Sequence, residues 1–286
     1  MRTIPQIAGF LDFLRLYKRN SLAVVGLVIL SYLSITAIIA PYLTPHSPFQ
    51  LVGEAFSSPS LSGFPMGSDD LGRDLYAMVM YGARVSLLVG FLAAAISAFV
   101  GTVIGCVSGY TGGIVDDVLM RTTEIFQVIP RFFLALVLVA LVGPNISNII
   151  LAIGIVSWPR SARLVRSMFL SLKEQEFVEA SRSLGASPLR IIFLEILPNS
   201  LSPLIVNMSL EVGSAILAEA GLSFIGLGDP SQMSWGYMLY NAQSFMRRAW
   251  WVSFFPGLYL FLTVLSFNMI GDGLNEAFNP KLRERQ

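Results

Sequence analysis

Residues 85–115 read VSLLVGFLAAAISAFVGTVIGCVSGYTGGIV, a run without one Asp, Glu, Lys or Arg. A helix needs about 20 apolar residues to cross the roughly 30 Å hydrocarbon layer of a bilayer, and this run supplies them. Three further stretches, 20–53, 132–159 and 249–271, are equally free of charge. Of all 286 residues, 54% are apolar and 13% charged, whereas a soluble domain is about a quarter charged. The deficit and its placement together assign an all-α polytopic membrane protein.

Run lengths and helix breakers place six transmembrane helices near residues 21–41, 85–108, 121–143, 146–167, 201–226 and 250–271. Arg2, Arg15, Lys18 and Arg19 precede the first. Its apolar core is longer than that of a cleaved signal, so it is expected to stay as an anchor. Positive loops remain cytoplasmic. With the N-terminus inside, 14 of the 19 Lys and Arg residues fall on the cytoplasmic side, against Arg73, Arg84, Arg247 and Arg248 outside and Arg131 within a span. Both termini are therefore expected in the cytoplasm. Trp235, Tyr237, Tyr240, Trp250 and Trp251 crowd the last outer loop and the start of the sixth span, where amphipathic rings favour the headgroup layer.

Several functions are excluded at this level. A net charge of +1 leaves no polybasic field for nucleic acid. Cys106 and His46 are each the only residue of their kind, so no intrachain disulfide, Cys-based metal cluster or His-driven triad can be assembled from this chain. A phosphate-cradling loop needs a Gly-Lys pair, yet Lys18, Lys173 and Lys281 follow Tyr17, Leu172 and Pro280. No catalytic residue, metal site or cofactor is expected here, and any nucleotide is hydrolysed by another chain.

Within the second span, small residues recur every fourth position: Ala93, Ser97, Gly101, Gly105 and Gly109. In lipid, close backbone approach is the main source of helix packing, so this ridge is built for tight contact with another span or with a partner subunit. Charges within spans face protein or water. The candidates are Glu124 and Arg131, seven residues apart and so expected on one face of the third span, and Glu211 and Glu219 in the fifth. A water-filled pathway and structural ion pairing explain them equally.

Residues 171–198, SLKEQEFVEASRSLGASPLRIIFLEILP, are too polar for their place between two spans. Local rules predict a helix to Leu184 stopped by Gly185, then a second helix with Ser187 as N-cap and Pro188 in its first turn. Phe177, Val178, Ala180 and Leu184 form an apolar stripe edged by charge. A hairpin of this kind suits the docking of a soluble partner.

The same segment resembles the signature of permease subunits of ATP-binding-cassette importers, E-A-A-x-x-x-G followed by I-x-L-P. Here it reads Glu179-Ala180-Ser181, Gly185 and Glu195-Ile196-Leu197-Pro198, with Ser181 and Glu195 as departures. A closer resemblance, to the C-type subunit of dipeptide, oligopeptide and nickel permeases, covers nearly the whole chain. It is carried by GSDDLGRD at 67–74, YGARVSL at 81–87, GYTGG at 109–113, EAGLSFIGLG at 219–228, Ser234-Trp235-Gly236 and GDGL at 271–274. Relatives commonly carry Ser-Arg where this chain has Ala77-Met78.

The resemblance implies a type I importer fold with three parts: residues 1–84 (tail, first helix and extracytoplasmic loop), a permease core at 85–275, and a cytoplasmic tail at 276–286. It also implies a cell-membrane assembly with a second, B-type permease chain, one or two ATPases binding ATP and Mg, and an extracytoplasmic solute-binding protein. By position, Glu179, Ala180, Ser181, Gly185, Ala186 and Ser187 would couple to the ATPase. Asp69, Asp70, Arg73, Asp74 and Trp235 would meet the binding protein. Di- or oligopeptide is the implied cargo, with nickel, glutathione or short oligosaccharides as alternatives. The rival of another class is an ion-coupled transporter using Glu124, Arg131, Glu211 and Glu219 as a relay.

Overall fold

The computed structural model describes residues 13–60 and 63–278. Among these residues the fold is all-helical, apart from two isolated backbone bridges, Leu51–Arg73 and Ser68–Asp74, in the loop that follows the first long helix. Of the expected tail at 276–286, residues 276–278 continue the last helix and 279–286 lie outside the described residues.

Helix α1 (Ser21–Leu43) begins where the Asn20 side chain accepts the Ala23 N–H at 3.0 Å. Helix α2 (Leu75–Thr111) runs for 37 residues, about 55 Å at 1.5 Å per residue, and so overshoots the bilayer core. It starts at Leu75, not near 85 as expected. Arg84 had marked the limit of the apolar run, but a lone Arg on a helix reaches an interface along its own stem. The preceding turns bury Leu75, Met78, Val79 and Met80. Ala77 and Met78, the departure from the relatives, are both buried and act as packing residues.

The expected third span at 121–143 is not one helix. It is broken into α3 (Gly113–Val128) and α4 (Arg131–Val142), bent by 84°. Pro130 is the cause: it has no N–H to donate and drives the residue before it out of helical geometry, and Ile129 sits at φ −84°, ψ 126°. Glu124 and Arg131 therefore lie on separate segments rather than on one helix face.

Helix α5 (Ile146–Leu172) is followed by the short α6 (Glu176–Ser183). After Gly185, the chain runs as one 40-residue apolar rod from Pro188 to Leu227. The rod comprises α7 (Pro188–Arg190), a wider π-type stretch at Ile191–Ile196, α8 (Leu197–Leu222) and a final stretch at Ser223–Leu227 that is kinked at Gly226, φ 91° and ψ 10°. The second arm of the hairpin and the fifth span are thus a single element. The first wide stretch ends just before Pro198, where a regular helix would lose a hydrogen bond. Helices α9 (Trp235–Ala242) and α10 (Trp251–Phe278) complete the chain.

By length and composition, α1, α2, the Pro188–Leu227 rod and α10 suit a crossing, four candidates among the described residues, or five if the bent α3/α4 pair counts as one. Helix α5 falls outside that group because it carries Arg160, Arg163 and Arg166.

The small-residue ridge of α2 lies against α5 of the same chain. A Cβ on Gly101 would stand 2.5 Å from the Ser161 Cβ, one on Gly105 2.5 Å from the Ala162 carbonyl oxygen, and one on Gly109 2.5 Å from the Phe169 Cβ. Gly101→Val is accordingly expected to lower the melting midpoint of the solubilised protein, at an overpacking cost of about 1–3 kcal/mol. Gly63→Ala, where a Cβ meets nothing within 4 Å, should leave it unchanged. Melting followed by size exclusion reads both.

Candidate functional site: a helical hairpin and a buried ion pair

Helix α6 ends as its sequence dictates. Gly185 adopts φ +80°, the left-handed region open to glycine. The Gly185 N–H bonds the Arg182 carbonyl at 3.0 Å and the Ala186 N–H bonds the Ser181 carbonyl at 3.1 Å, the paired closure of a Schellman motif. Ser187 then caps the next helix, its Oγ accepting the Arg190 N–H at 3.4 Å, with Pro188 in the first turn. A Cβ at Gly185 would touch nothing within 4 Å, so glycine is needed there for conformation and not for space.

The expected apolar stripe divides. Val178 is fully buried in a cluster with Phe169, Ile191 and Ile196 and pins α6 to the helix bundle. Leu184 is 89% exposed and Leu189 68%, with Glu179 and Ala180 also outward. The hairpin is thus anchored by Val178 on its first arm and Ile191 and Ile196 on its second, while its tip presents leucines and charge to the surroundings.

The four intramembrane candidates occupy three separate settings. Arg131, in the first turn of α4, donates from Nη1 to Glu211 Oε1 of α8 at 2.8 Å. The Glu211 side chain is 3% accessible and that of Arg131 41%. Glu124 bonds its exposed α3 neighbour Arg121 at 3.2 Å. Glu219 is buried, and its Oε1 accepts the Ser223 and Ser234 hydroxyls, each at 2.7 Å. Only Arg131 and Glu211 meet.

One polar centre escaped the sequence. Asp116 of α3 takes both Nε and Nη2 of Arg166 on α5, each at 2.5 Å, and also accepts the Ser108 hydroxyl of α2. Three helices are tied at one point. Asp116 lies three residues beyond the GYTGG block, and the 50-residue separation from Arg166 hides the pairing from any local pattern.

The loop between α1 and α2 turns most of its charge inward. Asp69, Arg73 and Asp74, with Trp235, the residues expected to meet a binding protein, are all buried. Asp69 Oδ1 accepts the Leu71 and Arg73 N–H groups at 3.0 and 2.8 Å, and its Oδ2 accepts Arg73 Nε at 2.5 Å. Asp74 caps α2 by accepting the Tyr76 N–H at 3.0 Å. The Trp235 indole donates to the Val79 carbonyl at 3.1 Å. Short acidic side chains in a tight glycine-rich turn bond their own backbone, which is why this charge builds the loop. Asp70, with 28% of its side chain accessible, stays partly open; burial and then the neighbouring Asp69 push its carboxyl above the usual range. The aromatic belt divides likewise: Trp251 is buried and donates to the Ser68 carbonyl, while Trp250 and Tyr240 stay exposed.

Comparison with known proteins agrees with this architecture. Residues 101–284 match the family described as "Binding-protein-dependent transport system inner membrane component", and residues 10–59 match "N-terminal TM domain of oligopeptide transport permease C". The chain belongs to the binding-protein-dependent inner membrane component family. Among members, the dipeptide transport system permease protein DppC of Escherichia coli (strain K12) is 45% identical over 280 residues, covering 96% of this chain and 93% of the relative. The DppC of Bacillus subtilis (strain 168) is 40% identical over 281 residues, covering 98% and 88%. The inward-facing MetNI methionine ABC transporter shares the fold, with a TM-score of 0.57 at 19% identity, covering 72% of this chain and 98% of that one. The larger family match begins inside α2, at Gly101, and takes in the hairpin, the Asp116–Arg166 centre and the Arg131–Glu211 pair.

One loop carboxylate of this family member offers a pH test. Asp229 is buried, which works against its charge, but the Ser231 hydroxyl and the Ile146 and Ser231 N–H groups hold it below the usual carboxylate range. A lowered folded-state value means that its stabilisation is complete above the ordinary value of about 3.9 and is lost as pH falls through the lowered one. Asp229→Asn should lower the melting midpoint at neutral pH and flatten the further drop below about pH 4, read by thermal melting across a pH series.

Proposed function

We propose that this chain is one of two permease subunits of an ATP-driven importer of short peptides, fed by an extracytoplasmic binding protein and powered by separate ATPase subunits. In this reading α1, α2, the bent α3/α4 pair, α5, the Pro188–Leu227 rod and α10 make six crossings, both termini are cytoplasmic, and the turn at Gly185 faces the ATPase. The charge bias of 14 of 19 basic residues toward one side supports that orientation.

The observation that carries the reading is the hairpin, set in a family whose close members are dipeptide permeases. An exposed Leu184 and Leu189 beside Glu179 on a fixed turn, backed by a buried Val178, present a rigid apolar and charged tip suited to a cleft on a soluble motor. Seating of the tip lets nucleotide-driven approach of the ATPases move the Pro188–Leu227 rod and switch the helices between two packings of similar free energy. ATP and Mg belong to the ATPases, and this chain supplies the pathway. An ion relay fits less well, because Glu124, Glu211 and Glu219 each have a separate local partner.

Gly185→Asp forces a side chain into left-handed backbone and Glu179→Lys reverses a tip charge. Each is expected to abolish peptide uptake and ATPase co-purification while membrane insertion persists. Normal co-purification with both variants would remove the docking role.

A further inference from the structure

The break between α3 and α4 opens a cavity of about 300 Å³ bounded by the first turn of α4, by α5 and by α8. That lies at the small end of ligand cavities, which run roughly 300–1,000 Å³, and suits one end of a small molecule. Its wall includes Arg131, Phe132, Ser157 and Ser214.

The polar groups here are unevenly satisfied. Glu211 occupies only Nη1 of Arg131, and with the Arg131 side chain 41% accessible the other guanidinium N–H groups have no protein partner among the described residues. The N-terminus of α4 has Pro130 at its cap position and no side-chain cap, so its first N–H groups lack partners from the helix. The Ser157 hydroxyl is buried without a hydrogen-bond partner, although buried polar groups nearly always have one. Within a membrane such vacancies are costly. Backbone N–H groups and a guanidinium are donors only, and a hydroxyl can donate, so the missing group is an acceptor. A half-helix N-terminus favours negative charge in addition.

The geometry points to a carboxylate-reading subsite: Arg131, the start of α4 and Ser157 hold the α-carboxylate of a peptide in transit, and Glu211 neutralises Arg131 when the cavity is empty. The planar guanidinium can bind a carboxylate through two parallel N–H···O bonds while still touching Glu211. The peptide's own ammonium group, outside the cavity, balances the charge. This inference rests on the peptide permease reading above and adds to it the part of the cargo that this chain recognises.

The test uses the assembled permease–ATPase complex in nanodiscs without binding protein, with Ser214→Cys as reporter in a Cys106→Ala background. A small methanethiosulfonate labels the reporter. Dialanine is expected to halve the labelling rate at its dissociation constant and to slow it further above that, whereas dialanine amide, lacking the carboxylate, has no effect. In the apolar double variant R131M/E211M, which removes both charges and leaves neither orphaned, protection by dialanine is lost. Ser157→Ala, a milder change, weakens it. Equal protection by acid and amide, absence of protection by either, or an unreactive reporter would overturn the subsite, as would full protection in R131M/E211M. Dialanine uptake by the complete assembly with its binding protein separates the two levels. Uptake without protection removes the subsite alone, and absence of uptake by the unsubstituted assembly removes the permease reading as well.

Discussion

Contact between α2 and α5, backbone against backbone, is the constraint on which the remaining helices depend. Lipid tails are as apolar as leucine, so burying aliphatic surface between two helices gains little in a bilayer. What remains is dispersion at short range, and the glycines at 101, 105 and 109 permit it along the C-terminal third of α2. The Asp116–Arg166 pair, joined by Ser108, fastens the same two helices to α3 at the end of that seam. With this pair fixed, α8 packs across both helices and α10 carries α1 on its outer side.

Four long apolar helices were legible because the hydrocarbon layer filters composition so harshly that charge-free runs stand out. The hairpin was legible because its signals are local: Gly185 permits positive φ, and Ser187 and Pro188 restart a helix within a few residues. Other features followed no local rule. The third span looked continuous because Pro130 sits among apolar residues, and hydropathy does not register a missing N–H. The N-terminal turns of α2 are hidden by Arg84, because a charge-free run stops at that residue whereas the helix continues past an exposed, solvent-seeking side chain.

The site residues show the same contrast. Acidic residues in an outer loop resemble a docking surface, yet Asp69 and Asp74 spend their oxygens on neighbouring N–H groups. Whether a short carboxylate turns inward depends on the φ values of Gly67 and Gly72, both positive, more than on the acidic residues themselves. Arg131 and Glu211 are 80 positions apart and meet only because the chain bends at Pro130. Their partnership follows from a defect in helical hydrogen bonding rather than from periodicity.

The rod from Pro188 to Leu227 has a mechanical implication. At 1.5 Å per residue its 40 residues span at most about 60 Å, and its two irregular segments, the widened turn at 191–196 and the Gly226 kink within 223–227, lie near its two extremities. A shaft that is regular through most of its length and irregular near either end can carry thrust and torque along its axis while its tips take up the change of angle. Glu211 and Glu219 both ride on α8, between those segments, so a displacement of that helix carries both buried settings together.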